Sequence, residues 1–272
     1  MRAARMLRLA LPEVASLTLN WQARFRKQGL SPSAAWSAAL RPPMRRALDE
    51  SHLEYLPRAL RANLGMVVDV GANKGAWVSA LLRFVAVRRI EAFEPNPHAF
   101  ALLSANLKHV ASVRLHQAGV GDQAGSFVLQ TTQDSKFSSL LPLQPQIQQE
   151  YWETLNIVES HDVPIVTLDA TLADAASVDL LKIDVQGFER HVLQGARQVL
   201  KRTRAVLIET NFISHYQGDD TFASLYSLLT EQYGFAFWNM TPPTYWRTGR
   251  ALWTDSVFVN PTHAPAGGWA SE

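Results

Sequence analysis

The sequence predicts an α/β protein whose sheet is mostly parallel, with helices on both faces. From Met66 onward, short apolar runs alternate with stretches of helical character, which is the order typical of β-α-β units. The first of these runs, 66–70, is apolar except for Asp69, as expected of a strand that is buried on both faces. Two late strands follow each other without a long helix between them, which predicts an antiparallel hairpin at the sheet edge.

The predicted elements follow in order along the chain. The first half holds strands over 66–70, 89–93 and 112–118, helices over 75–84 and 96–108, and an extra strand over 126–131. Asn96 is expected to cap the second helix, because Pro97 suits a first helical position. A polar loop, 132–162, precedes strands over 163–168, 178–185 and 205–210, helices over 187–200 and 222–233, and late strands over 235–240 and 256–260.

The chain length of 272 residues suits one large domain with an appendage. Glycines and prolines break residues 1–62 into short helices, so we predict a helical N-terminal extension there. The main domain is expected over 63–262 and a flexible tail over 263–272. We hypothesise that the extension covers a cleft or builds a homodimer contact.

Charge is distributed unevenly along the chain. Residues 1–64 hold 11 Lys/Arg and 4 Asp/Glu, leaving 15 of the 26 basic and 20 of the 24 acidic residues for the rest. Docking of a basic extension on an acidic domain is the simpler interpretation, and peripheral contact with an anionic membrane is the alternative. Pro12 and Glu13 interrupt the first apolar stretch and no run of 18 apolar residues occurs, so we expect no transmembrane segment and a cytoplasmic location.

The chain contains no cysteine. Disulfides, zinc–thiolate sites, iron–sulfur clusters and cysteine nucleophiles are therefore excluded, and a reducing compartment fits this composition.

The turn after the first predicted strand is the first candidate binding element. It reads Asp69-Val70-Gly71-Ala72-Asn73-Lys74-Gly75, and ligands of open α/β sheets bind outside the carboxyl ends of the strands. Gly71 permits a tight turn with close backbone approach to a ligand, and Gly75 begins a helix whose amide end is positive. Asp69, Gly71, Ala72, Asn73 and Gly75 are therefore predicted to bind a cofactor.

Glu94 follows the second strand, which Pro95 ends. A carboxylate there accepts hydrogen bonds from both hydroxyls of a ribose, which predicts a nucleoside site. Asn73 stands where a dinucleotide fingerprint needs its second glycine, so a nucleotide-dependent oxidoreductase is disfavoured. A cofactor without pyrophosphate, such as S-adenosylmethionine, does not need that glycine.

Two further positions are candidate cofactor contacts. Asp122 follows the third strand and is placed to bind an adenine amino group, although an Asp that stabilises a turn with Gly121 is equally consistent. Ser138 and Ser139 of the polar loop are candidates to cover the cofactor; a simple serine-rich loop is the alternative.

The fourth core strand ends in Lys182-Ile183-Asp184-Val185-Gln186-Gly187-Phe188-Glu189. Asp184 and Glu189 are separated by a strand-to-helix turn bearing Gly187, and both are predicted to reach the mouth of the cleft. Lys182 and Asp184 need partners or a function in a buried strand, and direct pairing between them is not expected.

The order of these blocks resembles the FkbM family of methyltransferases. It runs DVGANKG, EAFEPNP, AGVGDQAG, SSL, VTLD, LLKIDVQGFERHVLQGA and VLIET over roughly 66–240, with KIDVQGFE the most specific block. The resemblance implies a Rossmann-like class I methyltransferase fold with seven strands, S-adenosylmethionine as donor, and O-methylation of hydroxyls on sugars, polyketides or related natural products. The family more commonly has Glu where Gln186 stands, and the first 60 residues lie outside the resemblance, which leaves substrate recognition open.

Methyl transfer to an alcohol requires alignment of the acceptor and removal of its proton. Asp184 is the first candidate base; holding the cofactor's ammonium group or a cation is its alternative role. Glu209 and His215 are secondary candidates, although a lone loop histidine is more often merely exposed. Asp184, Glu189 and Glu209 have no fixed metal-ligand spacing, so no metal is predicted.

The expected partner is a small-molecule or glycan hydroxyl. Two alternatives stay open. A nucleic-acid methyltransferase is favoured by the basic first 64 residues but lacks an amine-methylation motif after the fourth strand, where KIDV stands. A catalytically silent binding domain is disfavoured because Asp69, Gly71, Glu94, Asp122 and Asp184 occur together.

Overall fold

The computed structural model describes residues 49–133, 135–151, 156–266 and 268–269. Its strands are β1 (Asn63–Val70), β2 (Ala86–Phe93), β3 (Val113–His116), β4 (Gly119–Val120), β5 (Gly125–Thr132), β6 (Ile157–Val166), β7 (Val178–Ile183), β8 (Thr203–Asn211), β9 (Ala236–Met240), β10 (Thr244–Tyr245) and β11 (Ala251–Val259). Its α-helices are α1 (Ala76–Leu81), α2 (Pro97–Leu107), α3 (Pro145–Tyr151), α4 (Leu168–Thr171), α5 (Glu189–Gln194), α6 (Arg197–Lys201) and α7 (Phe222–Ser227).

The main sheet has the order β10-β11-β8-β7-β1-β2-β3, and β9 also pairs with β11. The pairs β1–β2, β2–β3, β1–β7 and β7–β8 are all parallel. The chain moves outward from β1 to β3 and then returns to place β7 on the other side of β1. The order therefore reverses between β1 and β7, where a doubly wound sheet opens a ligand crevice.

The far edge of the sheet is antiparallel, as predicted. β11 pairs antiparallel with β8 on one side and with β9 and β10 on the other. β10 opposes the residues around Trp253, whereas β9 opposes Ser256–Val259. Because β9 and β10 share one position beside β11, the eight strands occupy seven places in the sheet.

Helices cover both faces of this sheet, which confirms the predicted architecture. On one face, Val68 and Val70 of β1 join a buried cluster with Leu172, Val192 and Leu225 from three different helices or their ends. The intervening residues of β1 face the other way because strand side chains alternate. On that second face, Trp77 of α1 lies beside Lys182 of β7, with the ammonium 5.6 Å from the ring centroid.

The predicted long helix over 187–200 is two helices, α5 and α6. A Cβ on Gly195 would lie 1.9 Å from the carbonyl oxygen of Gly121, so the backbone of α5 ends against the segment after β4. The predicted helix over 222–233 likewise continues from α7 into a π-helical turn, Leu228–Gln232.

Part of the polar loop predicted over 132–162 forms regular structure, because β6 begins within it at Ile157. β5 and β6 form an antiparallel pair, and β4 joins β6 in parallel to complete a second sheet. The loop between them contains a 3₁₀ turn, Ser135–Phe137, and α3. The extra strands predicted beside the loop therefore belong to a small sheet of their own.

Only the end of the predicted N-terminal extension belongs to the described residues. It forms two 3₁₀ turns, Leu53–Tyr55 and Arg58–Leu60, before β1. In the predicted C-terminal tail, Trp269 donates a hydrogen bond to the Asn260 carbonyl (3.0 Å) and lies under the Arg204 guanidinium. Within the part of the chain that the structure describes, every helix is too short or too polar to span a bilayer.

Candidate active site

A cleft of about 450 Å³ lies at the carboxyl ends of β1, β2, β7 and β8. Its volume is within the usual range for sites that bind small molecules and cofactors. Nine of the twelve predicted site residues line it: Gly71, Ala72, Asn73, Glu94, Pro95, Ser138, Asp184, Glu209 and His215. The carboxyl ends of parallel strands therefore bring together residues that are far apart in sequence.

Gly71 forms the floor of this cleft at the point where β1 ends. Its φ of 83° lies in the left-handed region, and a Cβ there would be 1.8 Å from the Asp184 carbonyl oxygen. The amides of Gly71 and Ala72 both donate to the Phe93 carbonyl, at 3.0 and 2.9 Å. The turn after β1 is thus fixed against β2 and pressed against the turn after β7.

Glu94 follows β2 beside this turn, and only 6% of its surface is exposed. One carboxylate oxygen accepts the Asn73 amide (2.7 Å) and the other accepts the Asn96 amide (2.8 Å). Burial raises the pKa of Glu94 to about 7, against the opposing effect of these two amides. Because a carboxylate has about four acceptor positions, Glu94 keeps lone pairs for a ligand in the cleft.

The polar loop contacts several of the turns that surround the cleft. Ser135 Oγ donates to Asn73 Oδ1 (3.0 Å), and Asn96 Nδ2 donates to Ser138 Oγ (3.4 Å). Ser139 Oγ, which does not line the cleft, donates to the Gln186 carbonyl (2.6 Å). The loop is therefore tied to the turns that follow β1, β2 and β7.

Three predicted cofactor residues lie outside the cleft wall. Asp69 is fully buried beneath it and contacts Lys182. Gly75 packs against α2, where its Cβ would meet Leu107. Asp122 instead pairs with His191 at 3.0 Å, so the geometry does not support its expected contact with adenine.

Lys182 corrects one expectation from the sequence. Its ammonium lies 3.1 Å from Asp69 Oδ1 and 3.5 Å from Asp184 Oδ2, so it does pair with Asp184. Residues two apart on a strand share a face, and the long lysine side chain spans that separation. Burial raises the pKa of Asp69, whose Oδ2 has no hydrogen-bond partner among the described residues.

Gln186 is a cleft residue whose contacts sequence reasoning did not predict. It has a φ of 56°, and its Nε2 donates to Asp184 Oδ1 (3.0 Å) and to Glu209 Oε1 (3.1 Å). Tyr216 donates its hydroxyl to Gln186 Oε1 at 3.0 Å. The available signal was the departure from the commoner Glu at this position, since an amide can donate to two carboxylates and a carboxylate cannot.

Glu209 and His215 both face the cleft, and burial changes the pKa of each. Burial, followed by the nearby charge of Asp184, raises the pKa of Glu209 well above its usual range. Burial lowers the pKa of His215 to about 4, and its ring meets Trp253 edge-on at 6.0 Å. His215 is therefore neutral at pH 7 and buried, in contrast to the exposed loop histidine that the sequence also allowed.

Glu189 does not reach the mouth of the cleft. It is 1% exposed, and its Oε1 accepts the amides of Val185 (3.3 Å) and Gly187 (3.1 Å). Burial raises its pKa to about 7. Its contacts fix the turn between β7 and α5, so Glu189 supports the shape of the site from beneath.

A doubly wound sheet with a ligand cleft at its switch point defines an α/β protein of the Rossmann-like class. The model of the methyltransferase FkbM domain matches residues 69–237, which is more than half of the chain. The chain therefore belongs to the FkbM family of methyltransferases.

The chain is also similar to individual proteins. The chain is 30% identical over 190 residues to the 31-O-demethyl-FK506 methyltransferase FkbM of Streptomyces tacrolimicus, covering 61% of this chain and 73% of that protein. It is 24% identical over 171 residues to the 2-O-methyltransferase NoeI of Sinorhizobium fredii, covering 60% and 70%. A crystal structure of methyltransferase FkbM from Methylobacillus flagellatus is similar at 15% identity and a TM-score of 0.46, covering 73% of this chain and 44% of that one.

Proposed function

We propose that this chain is an S-adenosylmethionine-dependent O-methyltransferase whose acceptor is a hydroxyl of a sugar, glycolipid or other natural-product-type small molecule. The observation that carries the proposal is one cleft with two distinct walls. The Glu94 carboxylate and the turn after β1 form one wall, and Asp184, Gln186 and Glu209 lie on the other. The first wall suits a nucleoside, and the second suits a hydroxyl that must lose a proton.

The donor wall fits S-adenosylmethionine on the chemistry of its side chains. Glu94 is nearly buried, lines the cleft and retains acceptor positions for the two hydroxyls of a ribose. Gly71, Ala72 and Asn73, in the turn after β1, would contact the rest of the bound donor. Pro95 and Ser138 complete this wall. When bound, S-adenosylmethionine supplies an electrophilic methyl group.

The acceptor wall supplies candidate bases within a small volume. Asp184 is about one-third exposed at the cleft, and the Gln186 amide orients both its carboxylate and that of Glu209. His215 is a neutral imidazole at pH 7 and lines the same cleft. We propose Asp184 as the base, because it is the exposed and oriented one, and Glu209 and His215 as groups that shape the acceptor site.

The names of the relatives support transfer to oxygen. NoeI is named as a 2-O-methyltransferase and FkbM as a 31-O-demethyl-FK506 methyltransferase. These names describe those proteins, and the acceptor class assigned to this chain extends them as part of the proposal.

Calorimetric titration tests the donor. Purified protein is titrated with S-adenosylmethionine, S-adenosylhomocysteine and NAD, beside Glu94→Ala and the matched control Glu231→Ala, whose side chain is exposed. We expect saturable binding of both sulfur nucleosides. This binding should weaken about 100-fold in Glu94→Ala, since two hydrogen bonds to a charged group are lost, and remain in the control. Binding of NAD alone, or of none of the three, would overturn the proposal.

A methyl-transfer screen then tests the acceptor. Isotopically labelled S-adenosylmethionine is incubated with hydroxylated sugars, glycolipids and polyketides, beside amine-bearing analogues and RNA and DNA fragments. We expect label on a hydroxyl oxygen and a loss of at least about 100-fold in turnover in Asp184→Asn, with donor affinity retained. Label in nucleic acid or on nitrogen would contradict the acceptor class, and donor binding without transfer to any acceptor class would favour a silent domain.

A further inference from the structure

Three ligand-type side chains converge on the surface outside the cleft. His98 lies in the first turn of α2, and Glu159 and His161 lie two residues apart on β6. The Nε2 atoms of His98 and His161 are 2.9 and 3.0 Å from the same atom, Oε2 of Glu159. Among the residues that the structure describes, this is the group in which at least three histidine or acidic side chains come close enough to share a metal ion.

The arrangement differs from an ordinary surface ion pair. Two imidazoles point their Nε2 atoms at one carboxylate oxygen, and their rings meet edge-on with centroids 5.6 Å apart. The Nε2 of His161 is shielded from solvent, and its approach to Glu159 at 3.0 Å lacks the angles of a well-formed hydrogen bond. A buried ring nitrogen that faces a carboxylate without hydrogen-bond geometry is well suited to donate its lone pair to a cation.

The distances are close to those that a bound ion requires. Two nitrogen or oxygen ligands about 2.1 Å from a tetrahedral zinc ion stand about 3.4 Å apart. All three ligand atoms already lie within 4.8 Å of one another. Small side-chain rotations therefore suffice to place an ion between them, and the exposed side chains of His98 and Glu159 have room for such rotations.

We propose that His98, Glu159 and His161 form a binding site for a divalent transition-metal cation, with Zn²⁺ as the preferred ion. Two imidazole nitrogens and one carboxylate oxygen are borderline and hard ligands, which favour Zn²⁺ over Ca²⁺ or Mg²⁺. Water takes the remaining position of a tetrahedral site. The sequence predicted no metal site, and the carboxylates considered there for a metal were Asp184, Glu189 and Glu209 rather than this group.

The site lies between α2 and β6, so a bound metal would connect two parts of the fold. Asn96, the N-cap of α2, donates its amide to Glu94. β6 pairs with β5, whose Gln130 is bridged to Ser139 of the polar loop. An ion held by α2 and β6 links the main sheet to the small sheet beside the cleft. Its binding therefore stabilises the folded chain by mass action.

Titration of the full-length, untagged, metal-stripped protein tests the proposal. The probes are Zn²⁺ alone by calorimetry and Co²⁺ alone by visible absorption; Co²⁺ gives a d–d band on entering a tetrahedral site. We expect one Zn²⁺ per chain, together with an increase of about 5 °C in Tm at a 100-fold excess over Kd. The absence of cysteine from the chain removes thiolates as competing ligands.

Variants identify the ligands. The double variant His98→Ala/His161→Ala should weaken Zn²⁺ binding at least about 100-fold and abolish the Co²⁺ band. The control His109→Ala, which replaces an exposed histidine at the end of α2, should leave both unchanged. Glu159→Gln, a milder change, should weaken binding while the far-UV circular dichroism stays that of the wild type. Absence of Zn²⁺ binding to the wild type, or equal binding by the double variant, would overturn the proposal.

Discussion

At the scale of single residues, Gln186 connects the two carboxyl groups of the proposed acceptor wall to the buried Tyr216. Its amide donates to Asp184 and Glu209, and its carbonyl oxygen accepts from Tyr216. A glutamate at this position would have no hydrogen to offer either carboxylate. The hydrogen bonds from Gln186 therefore explain how the carboxyl groups of Asp184 and Glu209 can lie close together in a partly buried site.

The first prediction concerns Gln186→Glu. The new carboxylate would face Asp184 and Glu209 without a donor, so we expect the free energy of unfolding to fall by about 1–2 kcal/mol at pH 8. Because protonation relieves this repulsion, the loss should shrink at pH 5. Urea unfolding at both pH values measures this loss, with Gln198→Glu, at an exposed position of α6, as control. A loss that is equal at the two pH values would contradict the role assigned to Gln186.

The second prediction distinguishes two effects of replacing a glycine: a steric clash of the new Cβ with neighbouring backbone, and the strain of a left-handed backbone conformation. Gly71 and Gly218 share a φ of 83°, but a Cβ would meet a backbone oxygen only at Gly71 and has open space at Gly218. Gly218→Ala should therefore lower the free energy of unfolding by about 1 kcal/mol, the cost of a left-handed alanine. Gly71→Ala should lower it by about 3 kcal/mol or more, because backbone must move. Similar losses in urea unfolding would show that the contact with Asp184 is unimportant.

The third prediction follows from the pKa of Glu94, which burial raises to about 7. If its ionised carboxylate binds the ribose hydroxyls, the protonated fraction must lose its proton on binding, so affinity falls as pH falls below about 7. We expect Kd for S-adenosylhomocysteine to be about tenfold higher at pH 6 than at pH 8. Calorimetry with Glu94→Gln should give a weaker Kd without this pH dependence. An unchanged wild-type Kd would place the nucleoside elsewhere.

At the scale of elements, strand ends account for what the sequence could predict of the site. Glu94 and Asp184 each follow a strand, and parallel strands place their carboxyl ends at one edge. The presence of Glu94 and Asp184 in one cleft could therefore be predicted without knowledge of side-chain contacts. Gln186 lies in the same block as Asp184, but its role depends on the positions of Glu209 and Tyr216, which sequence spacing does not reveal.

Other features depend on contacts between distant parts of the chain. His98 and Glu159 are 61 residues apart, and they meet because β6 of the small sheet lies beside the start of α2. The helical pattern over 187–200 continues through Gly195, so its division into α5 and α6 reflects the approach of Gly121. A local sequence pattern predicts neither the contact of His98 with Glu159 nor that of Gly195 with Gly121.

The fourth prediction concerns the turn between β7 and α5. Glu189 has a folded pKa of about 7 and an ordinary value near 4.5 when unfolded, so its ionisation destabilises the fold as pH rises from about 4.5 to 7. Glu189→Gln keeps an oxygen for the Val185 and Gly187 amides and removes this titration. As the pH rises from 5 to 8, the free energy of unfolding of the variant should therefore increase by about 2 kcal/mol relative to that of the wild type. Urea unfolding checks the difference, and the exposed substitution Glu231→Gln should show no such gain.

At the scale of the whole molecule, ligand binding and stability are coupled through the proposed donor site. The fifth prediction is that S-adenosylhomocysteine at 100 times Kd stabilises the fold by about 2.7 kcal/mol. For a domain of this size, that corresponds to an increase in Tm of about 5–10 °C, measured by calorimetric scanning. Glu94→Ala should show little increase at the same ligand concentration. A wild-type Tm that does not respond to the ligand would argue against specific binding.

The antiparallel edge of the main sheet has a consequence for self-association. β9 and β10 cover different parts of β11, and Pro242 and Pro243 between them offer no N–H groups. At the opposite end the outermost strand, β3, is only four residues long. An exposed, continuous strand edge can pair with strands of other molecules and so act as a template for fibrils and open-ended oligomers. Neither end of this sheet offers such a template, so concentrated solutions of the folded protein should resist edge-to-edge polymerisation through the main sheet.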